Sequence, residues 1–191
     1  MSEGGKREKI LEAAVTVFAE KGYHQARIEE IAARAEVGKG TVYEYFASKL
    51  ELFQEMFRAV LERYYNRLQS VREEGLPVVE RLRLLLELHL DFICQNARFA
   101  RVAFADGVGY DQELAFWIYE QRKTKLERMR SLFEEGIDRG EFRPVDAGVA
   151  ASIFLGAMTS LIVPIVMEGQ EADPSDLAGQ AMDILMKGLG T

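Results

Sequence analysis

The 191-residue chain is 48% apolar and 29% charged, with 16 Gly and 4 Pro, which excludes collagenous, low-complexity and largely disordered classes. Its length suits one sizeable core, or a small head on a larger body. The net charge of −7 argues against a surface coated for nucleic acid, but residues 1–50 hold eight Lys/Arg against eight Asp/Glu, so the whole deficit lies in residues 51–191. Any grip on phosphate must come from a few positioned cations and backbone amides in the neutral head. A lone cysteine, Cys94, rules out an intramolecular disulfide and a cysteine-rich zinc site. Met1 is not followed by a basic and then apolar leader, so the chain is expected in the cytoplasm.

Apolar residues recur at three- and four-residue steps and no stretch alternates with period two, so the expected fold is all-α, with about nine helices. The first helix, about 6–21, lines up Ile10, Ala14 and Phe18 beside Leu11 and Val17, and Gly22 stops it. A short helix with Ile28, Ile31, Ala32 and Ala35 on one face follows, then a tight turn and a second short helix over 41–46. Ser48-Lys49-Leu50-Glu51 is a capping-box pattern that starts a long helix near Lys49. Leu52, Phe53, Met56, Phe57, Val60, Leu61 and Tyr64 carry its apolar face toward a break at Gly75-Leu76-Pro77, where Pro77 is placed at a first helical position. Val78, Leu82, Leu85, Leu86, His89, Phe92 and Ile93 then form a wide stripe. A shorter helix with Phe99, Val102 and Phe104 is expected next, followed by a long one from about Asp111 to Arg139, closed by Gly140. Asp146 and Asp173 are the expected N-caps of the last two helices, with Pro174 just inside the second. Residues 147–167 carry no charge and meet the length of a membrane span. Their small and polar residues, and the lack of an aromatic belt, favour a buried core or subunit-interface helix, and no membrane is expected.

The segment Ile28-Glu29-Glu30-Ile31-Ala32-Ala33-Arg34-Ala35-Glu36-Val37-Gly38-Lys39-Gly40-Thr41-Val42-Tyr43-Glu44-Tyr45-Phe46-Ala47-Ser48-Lys49, with Gly22-Tyr23 before it and Leu50 to Phe53 after it, resembles the DNA-binding head of the tetracycline-repressor (TetR) family of bacterial regulators. The likeness covers roughly the first 55 residues; beyond them it rests on helix number and lengths and on Gly136 to Pro144. It implies a three-helix helix-turn-helix head at 1–47 on an antiparallel helical bundle at 48–191 that binds ligand and dimerises. Ile31, Ala35, Val37, Val42 and Phe46 can pack inward, as a helix-turn-helix needs. Gly38 and Gly40 let backbone amides approach a phosphate. By resemblance, Thr41, Tyr45 and Lys49 meet the DNA backbone while Lys39, Gly40 and Tyr43 face the groove. Packing within the small head is the alternative reading for the two tyrosines. Arg27 replaces the usual capping Ser or Thr and adds a cation, Gly38 replaces a common serine, and Glu36 stands where a left-handed turn commonly has glycine.

In the body, the resemblance implies a small-molecule pocket and a two-fold dimer through the last two helices. Pocket candidates are Leu86, His89, Phe92, Ile93, Phe104, Tyr110, Trp117, Met129 and Phe133, most of them equally at home in a core. His89, a polar ring on an apolar face, needs a hydrogen-bond partner. Ile153, Phe154, Ala157, Met158, Leu161 and Ile165, with Leu177, Ala181, Ile184 and Leu185, are the dimer candidates. The expected effector is a hydrophobic small molecule; a loose similarity of Gly22 to Gln25 and Gly40 to Tyr43 to fatty-acid-metabolism regulators points to acyl-CoA. The reading is a repressor that binds a palindromic operator in double-stranded DNA as a homodimer, with no cofactor, catalytic residue or metal. An enzyme is disfavoured: His24 and His89 are the only histidines, and Gly38 to Thr41 lacks the first glycine and preceding strand of a phosphate loop. A helical protein-interaction module without specific DNA binding is the alternative.

Overall fold

In the first helix, α1 (Glu3–Gln25), Gly22 takes φ 71 and ψ 169, which breaks the α-helix as expected, and the chain turns on through Gln25. The computed structural model describes residues 3–69, 75–97, 99–101 and 112–188, and every element among them is helical. These residues fall into two compact units, one drawn from 1–64 and 98–115, the other from 65–97 and 116–191.

In the first unit, α2 (Ile28–Arg34) packs on α1, and α3 (Lys39–Tyr45) packs on α2. The expected stripes are buried: Ile10, Ala14 and Phe18 from α1, Ile28, Ile31 and Ala32 from α2, and Val42 and Phe46 beyond the turn. Val37 is the exception, half-buried in the turn rather than packed inward. Glu36 has φ 57, alone among described non-glycine residues in being left-handed, so the strain anticipated for a glutamate at this position is present. At the start of α4 (Lys49–Gln69) the Ser48 hydroxyl accepts from the Glu51 amide at 3.0 Å. The Glu51 carboxylate reaches one residue further back than the simple box, to the Ala47 amide at 2.6 Å. Phe18 and Tyr23 both meet the edge or face of Phe53 with ring centroids 5.1 Å apart, a cluster that fastens α4 to α1.

In the second unit, α5 (Val78–Gln95) presents Val78, Leu82, Leu86 and Leu90, all fully buried, and packs most extensively on α8 (Pro174–Lys187). Pro77 is the N-cap of α5, not its first residue. The Val78 amide that this leaves open donates to the Glu141 carboxylate at 2.6 Å, a cap from 63 residues away that local sequence could not show. Helix α6 (Gln112–Asp138) ends at Gly140, φ 73, and the amides of Glu141 and Phe142 both donate to the Gly136 carbonyl. Phe142 lies so close over Gly136 that a Cβ there would sit 2.3 Å from its ring.

Helix α7 (Ala147–Leu161) is capped by Asp146, whose carboxylate accepts from Val149 at 2.9 Å. The helix expected over 147–167 changes character part-way: α7 stops at Leu161, Ile162 and Val163 keep right-handed helical dihedrals, and the chain goes on as one π-helical turn, Pro164–Glu168. Pro164 has no N–H to offer the Ser160 carbonyl, which accounts for the change. By length and composition residues 147–168 could cross a membrane, yet Ala151, Phe154, Met158, Ile162, Ile165 and Val166 are buried in the core. Asp173 caps α8 through the amides of Ser175 and Asp176 at 2.9 and 3.0 Å. Of the helix expected around Phe99, residues 99–101 are helical, with the Phe99 ring tilted against Phe57 at 5.3 Å; Val102 and Phe104 lie outside the described residues, as do Tyr110 and Asp111.

Candidate nucleic-acid interface and ligand cavity

The turn between α2 and α3 sets out a small exposed surface. Arg27, Gly38, Lys39, Gly40 and Tyr43 are exposed, whereas Thr41 and Tyr45 are half-buried. Arg27 makes no side-chain cap to α2; its backbone amide donates instead to the Glu30 carboxylate at 3.3 Å, which leaves the guanidinium to solvent. Lys39 reaches across the turn: its ammonium lies 2.7 Å from Glu29 Oε1 and 5.9 Å from the centroid of the Tyr43 ring. The hydrogen bond to Lys39 holds the Glu29 carboxyl below the usual carboxylate range, and Glu29 holds the Lys39 ammonium above its own. Beside a Cβ placed on Gly40 there is open space.

Lys49 is spent differently. Its ammonium donates to the His24 carbonyl at 3.2 Å and lies 4.7 Å over the Tyr23 ring, and burial lowers its pKa. It ties the end of α1 to the start of α4. Arg7 pairs with Glu55 at 2.7 Å and lies over Phe46.

The second unit holds a cavity of about 530 Å³ whose lining mixes apolar Leu68, Leu85, Met129, Leu132 and Met158 with Tyr65, Gln121 and Thr124, the cations Arg81, Lys125 and Arg128 and the carboxylates Glu127 and Glu135. Arg81 is bound to Glu135 at 2.7 Å. Burial and the Arg122 charge lower Lys125 to about 8. Among the described residues, Met129 is the one pocket candidate that borders this space. Leu86, Ile93 and Phe133 are buried, and the Phe133 ring lies tilted against Phe142 and edge-on to Phe154 with centroids at 5.5 and 6.2 Å. Phe92 is half-buried, and so is Trp117, which packs edge-on against Tyr65 at 6.3 Å.

His89 has the partner its position demanded. Its Nε2–H donates to the Met158 carbonyl at 3.2 Å, joining α5 to α7. A carbonyl only accepts, so Nε2 carries a hydrogen. Burial and the nearby Lys125 charge, opposed by the Met158 bond, lower its pKa to about 3.

The dimer candidates divide into two groups. Phe154, Met158 and Ile165 are buried inside the chain's own core, so they have no surface to offer a partner. Ile153 is 57% exposed and Ile184 51%, while Ala157, Leu161, Leu177, Ala181 and Leu185 are half-buried. Reading the sequence missed Val149, Val163, Met167 and Met186, all exposed. A second cavity, about 660 Å³, opens beside Val149, Ile153, Leu185 and Met186 and reaches Phe133 and Phe142.

A three-helix head whose short second helix of the helix-turn-helix starts at Gly38 and Gly40, in one chain with a helical unit that holds a cavity, defines a DNA-binding regulator of the ligand-sensing type. Residues 10–56 match the N-terminal segment described as bacterial regulatory proteins, tetR family, and residues 75–189 match the tetracyclin repressor-like C-terminal domain. The chain belongs to the TetR family and, like the relatives it matches, is a transcription regulator and not an enzyme. It is 28% identical to the fatty acid metabolism regulator protein of Bacillus subtilis over 96% of this chain and 95% of that one. The structure of the transcriptional regulator FadR from Bacillus subtilis in complex with stearoyl-CoA superposes with a TM-score of 0.80 at 28% identity, over 96% and 99% of the two chains. The fatty acid degradation regulator FadR from Bacillus halodurans does so with a TM-score of 0.78 at 30% identity, over the same shares.

Proposed function

We propose that the protein is a cytoplasmic repressor that binds a palindromic operator as a homodimer and releases it when a long-chain acyl-CoA, or another lipophilic molecule, fills the 530 Å³ cavity. The observation that carries this reading is the whole-chain likeness to the stearoyl-CoA complex. The cavity agrees in kind: its volume falls in the ordinary range for small-molecule sites, and its lining combines apolar side chains with Arg81, Lys125 and Arg128, groups that suit a ligand with an anionic head and an apolar tail.

Residues 1–47 read the DNA, with α3 in the major groove. Arg27, Gly38, Lys39, Gly40, Thr41, Tyr43, Tyr45 and Lys49 form the reading surface. Residues 48–191 sense the ligand and dimerise. On α7 the exposed positions Val149, Ser152, Ile153, Gly156 and Ser160 recur at three- and four-residue steps, and Ile184 and Met186 of α8 are exposed as well. Two copies of this surface, related by a two-fold axis, cover each other's apolar side chains. Helix α4 begins at the Ser48 cap and its last turns, at Tyr65 and Leu68, line the cavity, so a ligand there bears on the helix that leaves the head. Coupling between two sites is reciprocal and typically about 1–3 kcal/mol.

The test is selection of duplexes from a random pool at about 0.1 M salt, followed by titration of stearoyl-CoA against the winner. A palindrome with half-sites about one turn apart, roughly 34–36 Å, released by stearoyl-CoA, is the expected result. Enrichment of no sequence, or equal stearoyl-CoA affinity with and without the operator, overturns the proposal.

A further inference from the structure

The contact between Glu29 and Lys39 has no place in a surface built only to attract DNA. Lys39 is the first residue of α3 and Glu29 lies in the first turn of α2. Their 2.7 Å ion pair spans the turn of the helix-turn-helix, with both side chains more than half exposed. A cation at the positive end of a helix is electrostatically disfavoured, and Glu29 offsets that, while a carboxylate in the first turn of α2 is favoured by the α2 dipole. A chain of net charge −7 thus cancels one of the few cations on its reading surface. It also exposes a carboxylate that repels phosphate.

We propose that Glu29 is a specificity-determining residue: it holds the Lys39 ammonium between its own carboxylate and the Tyr43 ring, so that Lys39 is presented to a base edge instead of being taken by the nearest phosphate. The proposal rests on Lys39 facing the groove. An unguided lysine is a flexible point charge, and phosphate contact carries no sequence information. An ammonium has three donors. One is engaged by Glu29, and the others stay available to acceptors such as guanine O6 and N7. Because the pair is neutral as a unit, it adds nothing to the attraction for an arbitrary duplex. Its net gain comes only where a base replaces the water around the ammonium.

The experiment compares the full chain with E29Q, E29D, K39M and the double variant E29Q/K39M. Each is titrated against a duplex selected by the unaltered protein and against a scrambled duplex of the same composition, across a salt series. E29Q is expected to bind the scrambled duplex more tightly, to steepen its log affinity against log salt by about one phosphate's worth, and to lower the selected-to-scrambled ratio by about tenfold. E29D is expected to restore most of the ratio. In the K39M background, removing the carboxylate is expected to leave the ratio unchanged. Thermal unfolding of each variant checks that the exposed substitutions leave the fold intact. An unchanged ratio and salt slope in E29Q, with K39M still impaired on the selected duplex, overturns the role of Glu29. Unimpaired K39M on the selected duplex overturns instead the placement of Lys39 in the groove.

Discussion

Lowering the pH from 7 to 5 should destabilise the protein through His89 in a way that a glutamine at the same place abolishes. In the unfolded chain His89 takes up a proton near its ordinary value of about 6.5, whereas in the fold, buried beside Lys125 and donating to Met158, it does so only at about 3. Between these values the unfolded state binds more protons, so stability falls as pH drops from about 6.5 towards 3 and is unaffected above that window. From pH 7 to pH 5 the difference integrates to about 2 kcal/mol, a sizeable share of a marginal total. His89→Gln keeps an amide donor within reach of the Met158 carbonyl but does not titrate. Urea unfolding at pH 7 and pH 5, at one protein concentration, should show the unaltered chain losing about 2 kcal/mol more than H89Q. Equal losses in the two proteins would mean that the imidazole charges inside the fold without penalty, and the account of the His89 environment would be wrong.

Gly136→Ala puts a Cβ 2.3 Å from the Phe142 ring and should cost about 1–3 kcal/mol by overpacking; a melting temperature equal to that of the unaltered chain would show that the ring moves aside freely. Glu36→Gly relieves the one left-handed non-glycine residue among those described and should raise stability by about 1 kcal/mol, read in the same unfolding assay. Ile153→Arg places a charge on the exposed α7 stripe and should give monomers in light scattering that no longer bind the selected duplex; a tight dimer would remove α7 from the interface.

The head was legible because what defines it is local. Ile10, Ala14, Phe18, Ile31, Val42 and Phe46 face inward by helical spacing alone, and Ser48, Asp146 and Asp173 announce helix starts through hydrogen bonds spanning two or three residues. The left-handed turn at Glu36 was readable only through the family resemblance, in which glycine is common at that place. The cap on α5 was not, because the group satisfying the Val78 amide is Glu141, placed there by the turn around Gly136. Pro164 did carry a readable signal, a missing donor, but the uninterrupted apolar run hid it. Choosing pocket residues for size and apolarity selected side chains that fill the core, such as Leu86, Ile93 and Phe133. The usable signal was the opposite one: Gln121 and Lys125, polar residues four apart on the stripe of α6 that continues through Met129, where a packed core would have no use for them.

The same reasoning explains why α7 reads ambiguously as a string of letters. A helix apolar all round can lie in a membrane, inside a large core, or between two partners. Here the apolar surface resolves into two stripes. Ala151, Phe154, Met158 and Ile162 are buried within the chain, while Val149, Ile153 and Val163 stay exposed. Between those exposed residues lie Ser152, Gly156 and Ser160, small enough for a second helix to approach closely and polar enough to make a lipid-facing surface a poor alternative. A helix with one face committed to its own core and another that is apolar, small-residue and uncovered is what an isologous interface requires. With the proposed dimer, the absence of charge over residues 147–167 becomes the sum of two packing demands made on opposite sides of one helical segment.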